Sequence, residues 1–234
     1  MEIQITLNCP SCQGTKIVKN GKKSYKNKQN YLCKDCGRQF VGDMFLDYSG
    51  CHSKIWGMIK TAFVRGCGIR DIAAIFSISI GKILSLLAEN KVCPSPKRTQ
   101  YDVLEIDEFW TYVGNKENKV WLIYAYHRES GEVVAWTFGK RDLSTAKALR
   151  RKIRDLGISV GLICMDDWDS FKTAFEDCHC NVGKYWTKGI EGNNCRMRHR
   201  IRRAFRKSCN FSKKMENHII AFEMTFFYIN FGFI

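Results

Sequence analysis

Val103-Leu-Glu-Ile-Asp107-Glu-Phe-Trp110 sets acids among apolar residues in the pattern of a strand. Side chains alternate across a strand, so Glu105 and Asp107 share one face while Leu104 and Ile106 share the other. An ionised acid on a half-buried strand is costly unless a cation or a hydrogen-bond donor satisfies it. These acids therefore ask for a site.

Working outward, 103–113 and 120–127 read as strands joined by a polar turn, and 133–138 as a third strand reached through Glu129-Ser-Gly-Glu132. Residues 144–156 form a helix with an Asp/Ser start and Gly157 as its stop. A buried strand follows at 159–165, then a short helix at 167–176, a weaker strand at 180–186, and two closing helices at 190–207 and 211–231. Three antiparallel strands, a crossover helix, then parallel strands and helices is the order of an α/β domain with a ribonuclease-H-like mixed sheet, placed at 101–234.

Two further acids fit that frame. Asp166 stands at the carboxyl end of the strand Gly161-Leu-Ile-Cys-Met-Asp166-Asp167, where open α/β sheets gather ligands. Glu191 lies near the start of the 190–207 helix. At about 100° per residue, Arg198 falls within about 20° of Glu191, with Cys195 and Arg202 beside it. Ile190, Met197, Ile201 and Phe205 make a core flank, and Arg196, Arg200, Arg203 and Arg206 the opposite one. Glu191 thus sits on the seam between a buried stripe and a basic stripe. Asp107, Asp166 and Glu191, from two strands and a helix, suit two Mg²⁺ (or Mn²⁺) ions, which favour oxygen ligands. Lys188 and Arg198 would clamp phosphate charge beside them.

Composition points the same way. The 234 residues carry 38 Lys+Arg against 23 Asp+Glu, a formal charge of +15. Such an excess attracts polyanions, nucleic acid being the commonest large one, and with the carboxylate site the expected partner is double-stranded DNA. Residues 184–214 hold eleven Lys/Arg and one acid, Glu191. A solvated basic helix face is the other reading of that run. The first twenty residues lack an apolar stretch and a cleavage site, so a reducing cytoplasm, near the nucleoid, is expected in place of a disulfide-bonded secreted fold. The apolar tail is broken by Glu223 and Asn230, which argues against a membrane span.

Ahead of this domain lie two modules. Cys9-Pro-Ser-Cys12 and Cys33-Lys-Asp-Cys36 are paired at the spacing of a zinc ribbon over residues 1–45, with one structural Zn²⁺ held by four thiolates. Six lysines between the pairs suit phosphate contacts, and a purely structural clip is the alternative. In 46–92, Ile69-Arg-Asp-Ile-Ala-Ala-Ile-Phe76, a break at Ser77-Ile-Ser79 and a second helix to about Glu89 read as a helix-turn-helix. Its second helix would present Ser79, Lys82 and Ser85 to DNA. An ordinary helical hairpin is the alternative. Pro94 and Pro96 mark a linker at 93–100.

These residues together resemble a transposase of the insertion-sequence-one family. The resemblance rests on both CxxC knuckles, Glu105-Ile-Asp-Glu-Phe-Trp-Thr-Tyr-Val-Gly114, Trp121-Leu-Ile-Tyr-Ala-Tyr126, Met165-Asp-Asp-Trp-Asp-Ser-Phe171 and Ile190-Glu-Gly-Asn-Asn-Cys-Arg-Met-Arg198. It implies a DDE catalytic domain with Asp107, Asp166 and Glu191 as the acids and Arg198 as the basic residue two turns on. Asp166 is preferred to Asp167 because it keeps Phe171 in register with the family's aromatic position. Gly192 and Asp167 depart from the family pattern. The resemblance also implies 3′-end cleavage at terminal inverted repeats, then strand transfer, by a homo-oligomer. A DNA-binding regulator with a catalytically silent C-terminal domain is the competing expectation.

Overall fold

The computed structural model describes residues 7–23, 28–41, 53–89, 92–204 and 210–234. The chain separates into two compact units, Met1–Lys60 with Ile69–Leu86, and Thr61–Gly68 with Leu87–Ile234.

In the first unit, β1 (Ile17–Lys23), β2 (Lys28–Cys33) and β3 (Gln39–Val41) form an antiparallel sheet in that order. Both cysteine pairs sit in turns with one hydrogen-bond pattern. Cys9 N–H donates to the Gly14 carbonyl and Gln13 N–H to the Cys9 carbonyl; Cys33 N–H donates to Arg38 and Gly37 N–H to Cys33. The residue closing each turn is left-handed, Gly37 at φ 72° and Gln13 at φ 61°. Glycine tolerates this conformation, whereas a Cβ makes it cost about 1 kcal/mol. Gln13→Gly is therefore expected to stabilise the zinc-loaded ribbon by about 1 kcal/mol. A lowered thermal midpoint would show instead that the Gln13 side chain contributes contacts.

Helices α1 (Ser53–Val64), α2 (Ile69–Phe76) and α3 (Ile80–Glu89) follow. The chain turns by 115° between α2 and α3. Ser77 makes the turn at φ 52°, Ile78 is buried, and Ser79 Oγ caps α3 by accepting the Lys82 N–H at 3.3 Å. Ser79, Gly81, Lys82 and Ser85 are all exposed. The Lys82 ammonium lies 5.3 Å above the Trp56 ring.

The second unit is built on a five-stranded sheet with the order β6-β5-β4-β7-β8. β4 (Gln100–Tyr112), β5 (Lys119–His127) and β6 (Glu132–Gly139) are antiparallel neighbours. β7 (Ser159–Met165) runs parallel to β4, and β8 (Cys180–Val182) parallel to β7. Between β6 and β7 runs α4 (Leu143–Asp155), capped by the Asp142 carboxylate on the Thr145 N–H at 2.9 Å and followed by Gly157 at φ 66°. One face of the sheet packs Leu104, Ile106, Ile123 and Ala125 against Ala146, Leu149 and Ile153 of α4 and Phe171 of α5 (Asp169–Ala174). The opposite face packs Phe109, Leu122 and Tyr124 against Ile190 and Met197 of α6 (Lys188–Arg200) and Phe222 and Phe226 of α7 (Met215–Phe231). Each fully buried Leu, Ile, Met or Phe among them is worth about 1.5–3 kcal/mol.

Expected element boundaries shift, the last helix starting at Met215 and not at 211. The helix expected over 190–207 ends at Arg200. Ile201 leaves helical geometry (φ −99°, ψ 89°), and a single 3-10 turn, Arg202–Ala204, lets both Ile201 and Ala204 reach the core. The His199 carbonyl crowds the place of a Cβ on Gly66, so that glycine admits the close approach. Phe205 and Arg206 lie outside the described residues. The strand expected over 180–186 stops at Val182 because Gly183 turns the chain at φ 131° into a 3-10 turn, Lys184–Trp186. The 93–100 segment is tied down: Lys97 N–H and Tyr101 O–H both donate to Glu132 Oε1, at 2.6 and 3.1 Å, and Glu132 is fully buried. Among the described residues no single helix is long and apolar enough to cross a membrane.

Candidate active site

Strand register brings the first two acids together. The last pair between parallel strands β4 and β7 is Ile106 with Met165, so Asp107 and Asp166 both follow directly from it. Past that pair, among the described residues, β4 meets no strand on the β7 side before the isolated Val113–Ser212 bridge, and carboxylates from both of its faces reach Asp166. Glu108 exploits this: oxygens of Asp107, Glu108 and Asp166 all lie within 4.8 Å of one another.

The trio is electrostatically strained. Arg141 donates Nε and Nη2 to Glu108 Oε1 at 2.8 and 2.7 Å. Glu108 Oε2 and Asp166 Oδ1 are buried with no hydrogen-bond partner. Burial pushes the Asp107 carboxyl up to about 7, and the charges of Glu108 and Asp166 add to this against the Glu108 N–H and the Asn194 amide. Burial raises Asp166 and Glu108 as well, opposed mainly by the Trp168 N–H at one and by Arg141 at the other. Buried carboxylates with unmet oxygens take up either protons or a cation, and an all-oxygen donor set fits a hard divalent ion.

Helix α6 crosses the same face. Its N-terminus rests on a buried acid: the Ile190 N–H donates to Glu105 Oε2 at 2.6 Å, which suits the positive end of a helix. A Cβ on Gly189 would fall 2.7 Å from Glu105 Oε1, so this approach needs glycine. One turn on, Asn194 Nδ2 donates to Asp107 Oδ2 at 2.7 Å, and the Tyr124 hydroxyl donates to Asn194 Oδ1 at 2.8 Å, which fixes the amide's orientation. Glu191 lies in the first turn of α6, one turn ahead of Asn194. It is exposed, outside the carboxylate trio, with its charge felt at Glu105. Two of the three expected acids are thus together, and the third lies outside their cluster, one helical turn ahead of Asn194.

The basic residues divide in the same plain way. Lys188 is exposed, its ammonium 4.6 Å above the Tyr185 ring. The Arg198 guanidinium lies over Phe109 at 4.7 Å, and that of Arg200 over Tyr228 at 5.2 Å. Arg196 donates to Asn193 Oδ1 and to the Gly131 carbonyl, and Arg203 to Ser212 Oγ and the Asn217 carbonyl. Sequence reasoning missed Glu108, Arg141, Asn194 and Tyr124. Alternation assigns Glu108 to the far face, and only the end of β7 makes it a neighbour. Asn194 carried a signal, three residues after Glu191 on the same helix.

In the first unit the four expected thiols converge. Cys9 Sγ lies 3.5 Å from Cys36 Sγ and Cys12 Sγ 3.6 Å from Cys33 Sγ, all within 4.8 Å. A thiolate tetrahedron around Zn²⁺ at about 2.3 Å has edges of about 3.8 Å, so the cluster fits that ion.

A family model described as IS1 transposase matches residues 102–229, which is more than half of the chain and includes all of the acids described above. The chain belongs to the IS1 transposase family. Among IS1 relatives, the insertion element iso-IS1n protein InsB of Shigella dysenteriae is 39% identical over 117 residues, 50% of this chain and 87% of that protein. The insertion element IS1 protein InsB of Shigella flexneri is 36% identical over 114 residues, 49% of this chain and 86% of that protein. A second family model, the InsA N-terminal domain, described as a zinc ribbon, matches residues 4–37 and includes the four clustered cysteines. A chain in the cryo-EM structure of a simian T-cell lymphotropic virus intasome complex aligns at a TM-score of 0.39 and 15% identity, covering 70% of this chain and 66% of that one, too slight a likeness to argue from. As an IS1-family DDE-type transposase, the protein acts on DNA with divalent metal.

Proposed function

We propose that this transposase binds the terminal inverted repeats of an insertion element, cleaves their 3′ ends and transfers them to target DNA through Asp107, Asp166 and Glu191. The observation that carries the reading is the β4–β7 register, which sets Asp107 beside Asp166 with a buried oxygen lacking any partner. Asp107 and Asp166 would share one metal, with Glu191 reaching the second from the head of α6. Two Mg²⁺ (or Mn²⁺) ions held there would activate a water or a 3′-hydroxyl and stabilise the leaving oxygen. Asn194 and Tyr124 hold the Asp107 carboxylate in place, and Arg141 holds Glu108.

The sheet order β6-β5-β4-β7-β8, with three antiparallel strands followed by two parallel ones, supports a ribonuclease-H-like catalytic domain over 101–234. The 115° turn and the exposed Ser79, Lys82 and Ser85 support a helix-turn-helix in 46–92, reading the major groove. Residues 1–45 are the zinc ribbon and 93–100 the join. Lys188 and Arg198 would meet phosphates at the site, while Arg196, Arg200 and Arg203 supply positive field along the DNA path. Since two element ends must be cut and joined in one complex, the active form is a homo-oligomer. It works in the cytoplasm on the nucleoid.

The test is incubation of the purified protein and Mg²⁺ with labelled duplex from the ends of its element. Nicked 3′ ends and joined products are expected. DNA binding without either product would overturn the reading and leave a regulator.

A further inference from the structure

We propose that a cavity beside the carboxylates receives one unpaired nucleotide of the strand being cut, an inference that rests on the transposition reading above. The cavity, of about 410 Å³, is floored by Val103 and Glu105 of β4 and Leu162 and Cys164 of β7. These residues are paired in register, Val103 with Leu162 and Glu105 with Cys164, and Glu105 shares its face with Asp107. Two residues along a strand span about 7 Å, so the cavity opens within a single nucleotide's reach of the site.

Its wall is made by the turn that Gly183 starts. Tyr185 and Trp186 stand at the rim 69% and 44% exposed, their rings edge to face at 5.1 Å. Two neighbouring aromatic rings left in solvent contribute little to folding and offer stacking faces. The Lys188 ammonium lies over the Tyr185 ring, and Arg128, whose charge is felt at Glu105, also lines the cavity.

The charges inside select among ligands. Glu105, Asp102 and Glu129 are acceptors that would repel a phosphate, whereas a neutral base can stack on the rings and offer amino groups to them. Lys188 and Arg128, the cations lining it, would meet the flanking phosphates. Asp102, His127 and Glu129 also cluster as metal ligands do, yet both His127 ring nitrogens are engaged, with Asp102 at 2.8 Å and Ser130 at 2.7 Å. These two bonds hold the imidazole in place as a wall of the cavity. A base paired in a duplex has no free face to stack, so the occupant must be unpaired.

The proposal is tested by binding, with Ca²⁺ in place of Mg²⁺, to labelled element-end duplexes that are fully paired or carry one mismatch stepped across the cut position. Wild type is expected to bind the mismatch at one position about tenfold more tightly. Trp186→Ala and Tyr185→Ala, both at the surface, are expected to lose that preference while binding the paired duplex within about twofold of wild type. A wild type without preference, or variants that keep it, would overturn the cavity's role. Failure of wild type to cut the paired duplex in Mg²⁺ would instead overturn the transposition reading, since the mismatch preference is measured without cutting.

Discussion

Asp107→Asn is expected to lower Mg²⁺-dependent cutting by about 10³-fold or more and, in the same protein, to raise the stability of the metal-free fold. The two effects have one cause. The Asp107 carboxyl, ordinarily at 3.8, is pushed up to about 7 by burial and by the neighbouring charges of Glu108 and Asp166. Between those values the folded chain holds a proton that the unfolded chain has released, so stability falls as pH rises through about 4 to 7. Above about pH 7 the full penalty of that shift, on the order of 4 kcal/mol, is present. An uncharged amide of the same shape removes it, and gives up one of the two hydrogen bonds the carboxylate accepts, from the Glu108 N–H and Asn194 Nδ2, a smaller loss of about 1–2 kcal/mol. Thermal midpoints of wild type and Asp107→Asn without metal should therefore coincide near pH 4 and separate by pH 8, the variant being higher. A variant less stable at pH 8 would mean that Asp107 serves the fold and not a cation.

Removal of zinc is expected to unfold the ribbon. Among the described residues its buried apolar core is Cys9, Cys33 and Phe40, with Leu7, Ile17, Tyr31 and Val41 packed against them. A cluster of that size cannot offset the entropy of ordering its strands, whereas a structural Zn²⁺ supplies about 10–16 kcal/mol. Chelation, or Cys33→Ser, should strip hydrogen-exchange protection from β1, β2 and β3, and readded Zn²⁺ should restore it only to the wild-type chain. Protection that survives chelation would show that the sheet stands without the metal.

The sequence revealed the ribbon and the sheet because their signals are local. Cysteine spacing identifies a metal cluster before any fold exists, and alternation in 103–110 places Glu105 and Asp107 on the face where they are found. Asp142 and Gly157 mark the ends of α4 by their own backbone chemistry. What stayed hidden depends on where strands stop. Glu108 joins Asp107 only because β7 ends at Met165, and Asn194 reaches Asp107 only because Glu105 anchors the head of α6. The end of that helix at Arg200 was equally illegible, since Ile201 and Ala204 are drawn to a core assembled from distant segments. Arg196 and Arg203 read as a basic face, yet their guanidinium groups bond to protein acceptors that sequence alone does not bring near.

The most direct measurement is the rate of Mg²⁺-dependent cleavage of element-end DNA by Glu191→Gln beside wild type and Glu108→Gln, with DNA affinity measured in parallel. A site built by Asp107, Asp166 and Glu191 predicts that Glu191→Gln binds the DNA as wild type does and cuts it at least about 10²-fold more slowly. Cutting by Glu191→Gln at the wild-type rate, with Glu108→Gln inactive, would contradict it and make Glu108 the third carboxylate.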